Sequence, residues 1–109
     1  MFGRSSPVRD LSPEEVARRV TAGEVVLIDV REPRETALER IAGAVIVPLS
    51  TFDPSDPPEP GTREVVFFCA SGIRSIKASE IAQAAGLPYD AHMAGGLKAW
   101  KAAGLPTES

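Results

Sequence analysis

The stretch CASGIRS, residues 69–75, places the only cysteine of the chain between an apolar run and a loop of small residues. Arg74 follows it at the fifth position. A thiol reacts as its thiolate, and a thiolate is favoured wherever positive charge and N–H donors converge on it. Ala70, Ser71 and Gly72 are small enough to let the backbone curl into a nest of N–H groups. If a helix opens near Ile73 or Arg74, its unpaired first N–H groups also point at the sulfur. Arg74 adds a fixed charge and a fork of donors suited to an oxyanion. A lone cysteine at the end of an apolar strand is most often core filling. The loop and the arginine argue instead for a nucleophile in an anion cradle.

The flanking elements must place that loop. EVVFFC, 64–69, is β-branched and aromatic and reads as a strand, which puts Cys69 at its carboxyl end. Ligand crevices of open α/β sheets lie at such ends. EVVLIDV, 24–30, and AVIVP, 44–48, read as two further buried strands. Before them, Ser12, Pro13 and Glu15 mark a helix start with a capping box, and Leu11 and Val16 fall at the staple positions. Gly23 is the expected stop. REPRETALER reads as a turn and a polar helix. After the loop, Ala78, Ile81, Ala82 and Ala85 form a helical stripe, and Gly86 ends it. YDAHMA is a short strand, and GGLKAWKAAGLP a Gly-Gly turn followed by a last helix. Strands alternating with helices predict an α/β fold with a parallel sheet.

The chain has 109 residues, the length of one modest domain. DPSDPPEPG, 53–61, is linker-like, but the pieces on either side are too short for separate cores, so it reads as an internal surface loop. A net charge of −3 without a basic run argues against nucleic acid. One cysteine and one histidine exclude an intramolecular disulfide and are too few for a zinc site. With no apolar leader and no long apolar run, the expectation is a cytoplasmic chain that does not enter membranes.

CASGIRS resembles the active-site loop of the rhodanese family, which often reads Cys-x-x-Gly-x-Arg-Ser or -Thr. LIDVREPRE, 27–35, is similar to the family's first signature, IAGAVIVPL, 41–49, to its second, and AGGLKAW, 94–100, to its C-terminal one. The resemblance implies a rhodanese-like three-layer α/β/α fold with a parallel sheet of about five strands, in one domain over 1–109. It implies a sulfurtransferase without a cofactor. Cys69 takes the outer sulfur of thiosulfate or a similar donor as a persulfide and passes it to a thiol, cyanide or thioredoxin-like acceptor. By motif position, the N–H groups of Ala70, Ser71, Gly72, Ile73 and Arg74 cradle that persulfide, and Arg74 and Ser75 close the loop. Asp29 and Arg31 match the first signature as supports.

The family's usual Gly-His is Glu39-Arg40 here, and its proline is Ala42, which bears on substrate preference and packing rather than on the reaction. A cysteine phosphatase would also have a cysteine, a nest and an arginine, but spaced Cys-x5-Arg; the spacing here is Cys-x4-Arg. A non-catalytic rhodanese-like binding module commonly lacks one of the two residues, and both are present. His92 reads as structural, with lining the pocket as the alternative, and nothing pairs it with Cys69.

Overall fold

The computed structural model describes residues 7–109. Its elements follow the order β1 (Arg9–Leu11), α1 (Pro13–Thr21), β2 (Val25–Asp29), α2 (Pro33–Thr36), β3 (Val45–Ile46), β4 (Glu64–Phe68), α3 (Ile73–Ala84), β5 (Ala91–Met93) and α4 (Gly96–Ala102), with a short 3-10 turn at Leu49–Thr51. The five strands form one parallel sheet in the order β1-β5-β4-β2-β3. Strands on both sides of the proline-rich segment therefore share one sheet. That segment is tied to the sheet by Tyr89, whose hydroxyl donates to the Pro58 carbonyl at 3.3 Å.

The period of two along each strand sorts its side chains between two cores. Val25 and Leu27 of β2, Val66 and Phe68 of β4, and Ala91 and Met93 of β5 pack with Val16 of α1 and Leu97 and Trp100 of α4. Val26 and Ile28, Val65 and Phe67, and then Cys69 pack with Ala78 and Ala82 of α3. Cys69 thus continues the face that meets α3. Phe67, fully buried between Phe52 and Tyr89 with ring centroids 5.9 and 6.3 Å away, contributes roughly 2–3 kcal/mol by burial. It anchors β4 two residues before the sulfur.

Three local expectations need correction. The strand expected at 44–48 is only Val45–Ile46, and both side chains are more than 40% exposed, at 42% and 44%. It is the edge of the sheet, with β2 alone beside it, so its apolar residues have less to pack against. At α1 the Ser12 hydroxyl accepts from the Glu15 N–H, but no bond returns from Glu15; that return occurs at α2, where Glu35 accepts from the Glu32 N–H at 3.0 Å. Finally, α3 buries Ser75, Ala78, Ser79 and Ala82, whereas Ala85 is exposed and Ile81 half-buried. Two serines complete the inward face because each has a buried partner; Ser79 donates to the Tyr89 carbonyl at 2.6 Å.

Candidate active site

The loop between β4 and α3 wraps the sulfur. Cys69 is 1% exposed, and its Sγ accepts from the Gly72 N–H at 3.2 Å and the Ser75 N–H at 3.4 Å. The Ser75 hydroxyl lies 3.6 Å from Sγ, within reach of a sulfur hydrogen bond. The turn depends on Gly72, whose φ of +105° suits no L side chain and which places the first helical residue at Ile73. Burial pushes the Cys69 thiol up. The Ser75 hydroxyl and the N–H groups of Ser75, Gly72 and Ser71 outweigh it, so the thiol sits below its ordinary value. The nest is therefore made by Ser71, Gly72 and Ser75; the hydrogen bonds to Sγ include none from Ala70, Ile73 or Arg74.

A second turn clamps the first. The N–H groups of Leu97 and Lys98, at the open end of α4, donate to the carbonyls of Cys69 and Ala70 at 2.8 and 3.0 Å. These donors lack partners inside their own helix, and the loop carbonyls satisfy them. A side chain on Gly96 would put Cβ 2.3 Å from the Cys69 carbonyl oxygen, so only glycine fits. The Gly-Gly turn is thus the seat of the loop.

Arg74 departs from the sequence reading. Its fork is not free: Nη1 and Nη2 donate to the two oxygens of Glu35 at 2.7 and 2.8 Å. The Arg74 guanidinium holds the Glu35 carboxyl well below its usual range, at about 2. Glu35 is held in turn by the Glu32 N–H, so the arginine is positioned by α2. An incoming oxyanion must compete with Glu35. The alternating charges of REPRE are the sequence signal for such a partner.

Asp29 and Arg31 form a buried pair, with Nη2 to Oδ2 at 2.8 Å, and Arg31 also donates to the Glu39 carbonyl at 2.8 Å. Their bonds hold the turn after β2 and do not reach the sulfur.

His92 joins the site through bonds that sequence reasoning missed. It is 3% exposed, and its Nδ1 lies 2.8 Å from the Ser75 hydroxyl. Its Nε2 lies 2.7 Å from Asp10 Oδ1. It makes no direct hydrogen bond with Cys69, as expected, but Ser75 bridges the two. The signal was the lone polar residue between Ala91 and Met93, on the face that meets α3.

Beside the loop a cleft of about 320 Å³ is lined by Ala70, Leu97, Lys98 and Lys101. Lys101 is paired with Glu39 at 2.8 Å, one of the residues that replace the family's Gly-His. Among the described residues no metal-ligating cluster occurs, and no helix is long and apolar enough to cross a membrane.

A parallel sheet with a cysteine nest at a strand's carboxyl end defines a class of α/β domain, and the comparisons specify the family. The sequence model of the rhodanese-like domain matches residues 12–103, and the chain belongs to that family. It is 32% identical to a sulfurtransferase of Allochromatium vinosum, over 91% of this chain and 94% of that protein. The uncharacterized protein slr1261 of Synechocystis is 39% identical over 89% of this chain, but the match spans only 54% of that protein. The thiosulfate:glutathione sulfurtransferase of Saccharomyces cerevisiae is 29% identical, over 87% of this chain and 79% of that one. A Rhodopseudomonas palustris structure described as a possible tyrosine phosphatase superposes with a TM-score of 0.80 at 33% identity, covering 93% of this chain and 85% of that one.

Proposed function

We propose that residues 1–109 act as one rhodanese-like domain that transfers sulfane sulfur from thiosulfate, or a similar donor, to a thiol or cyanide acceptor through a persulfide on Cys69. The single observation that carries this reading is the convergence of the Gly72 and Ser75 N–H groups and the Ser75 hydroxyl on one sulfur. Such a cradle favours a sulfur anion, and both the thiolate and the persulfide are sulfur anions. In the first half-reaction the Cys69 thiolate attacks the outer sulfur of thiosulfate. A new S–S bond forms, the donor's S–S bond breaks, and sulfite leaves with its electron pair. In the second, an acceptor thiolate or cyanide attacks the outer sulfur of the persulfide, and the Cys69 thiolate is released.

The persulfide places its reactive atom about 2 Å beyond Sγ, which helps a buried carrier meet an acceptor. In this reading Lys98 draws anionic donors and acceptors to the cleft, and Asp29 and Arg31 support the site by holding the turn after β2. The similarity to a thiosulfate:glutathione sulfurtransferase supports a small-thiol acceptor. A thioredoxin-like acceptor and a cytoplasmic location fit the same chemistry, since both keep an acceptor thiol reduced.

The phosphatase reading draws on the Rhodopseudomonas palustris similarity, but the Cys-x4-Arg loop is one residue shorter than a phosphatase loop and closes on a single sulfur. Steady-state kinetics with thiosulfate against glutathione or cyanide test the proposal. Parallel double-reciprocal lines are expected, because one substrate leaves before the other reacts. Turnover of an aryl phosphate without sulfur transfer would replace the proposal with the phosphatase reading.

A further inference from the structure

Asp10, His92, Ser75 and Cys69 form a continuous chain of side-chain hydrogen bonds, although they come from β1, β5, the first turn of α3 and the end of β4. The separations are 2.7 Å from Asp10 Oδ1 to His92 Nε2, 2.8 Å from His92 Nδ1 to Ser75 Oγ, and 3.6 Å from Ser75 Oγ to Sγ. Sheet register sets the chain: Asp10 pairs with His92 across β1 and β5, and His92 with Phe67 across β5 and β4. Three members are buried, and the Asp10 side chain, 71% exposed, closes the chain at the surface.

The donor and acceptor count allows two arrangements. A carboxylate only accepts, so His92 Nε2 carries a proton in both. If Nδ1 is bare, it takes the Ser75 hydroxyl proton; Ser75 then shows the sulfur only lone pairs, and the sulfur must be S–H. If Nδ1 is protonated, it donates to Ser75 Oγ; the Ser75 proton then turns to the sulfur, which accepts it most strongly as S⁻. Both arrangements hold the same number of protons. They interconvert when the S–H proton moves to Ser75 Oγ as the Ser75 proton moves to Nδ1. The two backbone N–H groups on Sγ bind the thiolate more strongly than the thiol, and the Asp10 carboxylate, which accepts from Nε2–H in both arrangements, favours the imidazolium over the neutral ring. The other charged group near the sulfur, Arg74, is neutralised by Glu35.

We propose that His92, held by Asp10 and acting through the Ser75 hydroxyl, takes the proton of the Cys69 thiol, so that the resting reduced protein holds a Ser75-bridged thiolate–imidazolium pair. The inference rests on reading Cys69 as the nucleophile and adds the group that receives its proton. His92 is in this account a positioning residue, because it never meets the sulfur donor. The same pair persists while the persulfide anion occupies the cradle, so neither half-reaction requires a proton to enter from solvent.

The chain's single histidine and single cysteine make the test clean. Ring-nitrogen NMR of histidine-labelled, reduced protein at neutral pH is recorded before and after Cys69 is alkylated with iodoacetamide, which removes the sulfur charge. Protons on both ring nitrogens are expected before alkylation, and on Nε2 alone afterwards. In Ser75→Ala the ring should no longer respond to alkylation. Asp10→Asn changes an exposed side chain, so the fold is not at risk; its thiolate absorbance midpoint should rise by about one unit, which is about tenfold less thiolate below both midpoints. A ring that carries one proton before and after alkylation, or an unmoved midpoint in Asp10→Asn, overturns the proposal. Both readouts use unloaded protein, so the relay can fail while sulfur loading succeeds, and the reverse.

Discussion

Four donors favour the Cys69 thiolate, and they differ in how easily they can be removed. The backbone N–H groups of Ser71, Gly72 and Ser75 survive any side-chain change, whereas the Ser75 hydroxyl does not. A hydrogen bond to a charged group contributes about 1.5–3 kcal/mol, or roughly one to two pKa units. Ser75→Ala should therefore raise the pH at which iodoacetamide alkylation is half-maximal by about one unit and leave part of the depression in place. The sign also fixes a stability effect. Because the folded thiol lies below its unfolded value of about 8.5, the cradle's contribution is complete above that value and is lost as pH falls through the depressed one.

Arg74 acts through a different partner from the one its position in the loop suggests. Glu35 is depressed from 4.5 to about 2, first by the Arg74 side-chain bond, so its contribution is complete above 4.5 and is lost as pH falls toward 2. Acid melts of wild-type protein should show this loss, and Glu35→Gln should flatten the curve in that window. Arg74→Lys keeps the charge but loses the planar fork, and kcat/KM for thiosulfate should fall about tenfold, near 1.4 kcal/mol, in a folded protein. Wild-type kcat/KM in that variant would make Arg74 no more than the partner of Glu35. The cysteine, the nest and the arginine were legible in the sequence because they are contiguous. The places of Glu35, His92 and Asp10 were not, because the Arg74–Glu35, Ser75–His92 and His92–Asp10 bonds span 39, 17 and 82 positions and only the folded sheet brings them together.

The elements that matter most are the two turns that interlock. Gly96 sits with φ +60° against the backbone of Cys69 and Ala70, and its would-be Cβ meets backbone atoms at 2.3, 2.7 and 2.8 Å. Backbone cannot give way as a side-chain tip can. Gly96→Ala should cost about 2–4 kcal/mol, seen as a lower denaturation midpoint, and should raise the Cys69 alkylation midpoint as the loop is pushed from its seat. An unchanged alkylation midpoint would mean that α4 does not hold the nest. At this scale the apolar runs that became β2 and β4 were plain from sequence, since strands buried on both faces show no polar interruption. The inward face of α3 was not. It is built from alanine and serine, and a hydrophobic pattern cannot see a serine whose burial rests on its hydrogen bonds.

In the whole molecule, Phe67 and Val65 fix β4 in the core, β4 delivers the sulfur to the carboxyl edge of the sheet, and α3 and α4 both open toward it. The loop carries the thiol, and the sheet behind it holds the Gly72 and Ser75 N–H groups and the Ser75 hydroxyl around Sγ. With one cysteine in the chain, a sulfur atom taken up has no second thiol to receive it and must wait for an external acceptor. Intact-mass analysis of folded, reduced protein after exposure to thiosulfate and other sulfane-sulfur donors tests this directly. The account predicts a gain of one sulfur atom, its removal by cyanide or a thiol, and no gain in Cys69→Ser. A folded wild-type protein that gains no mass from any of these donors would contradict the claim that Cys69 carries sulfur.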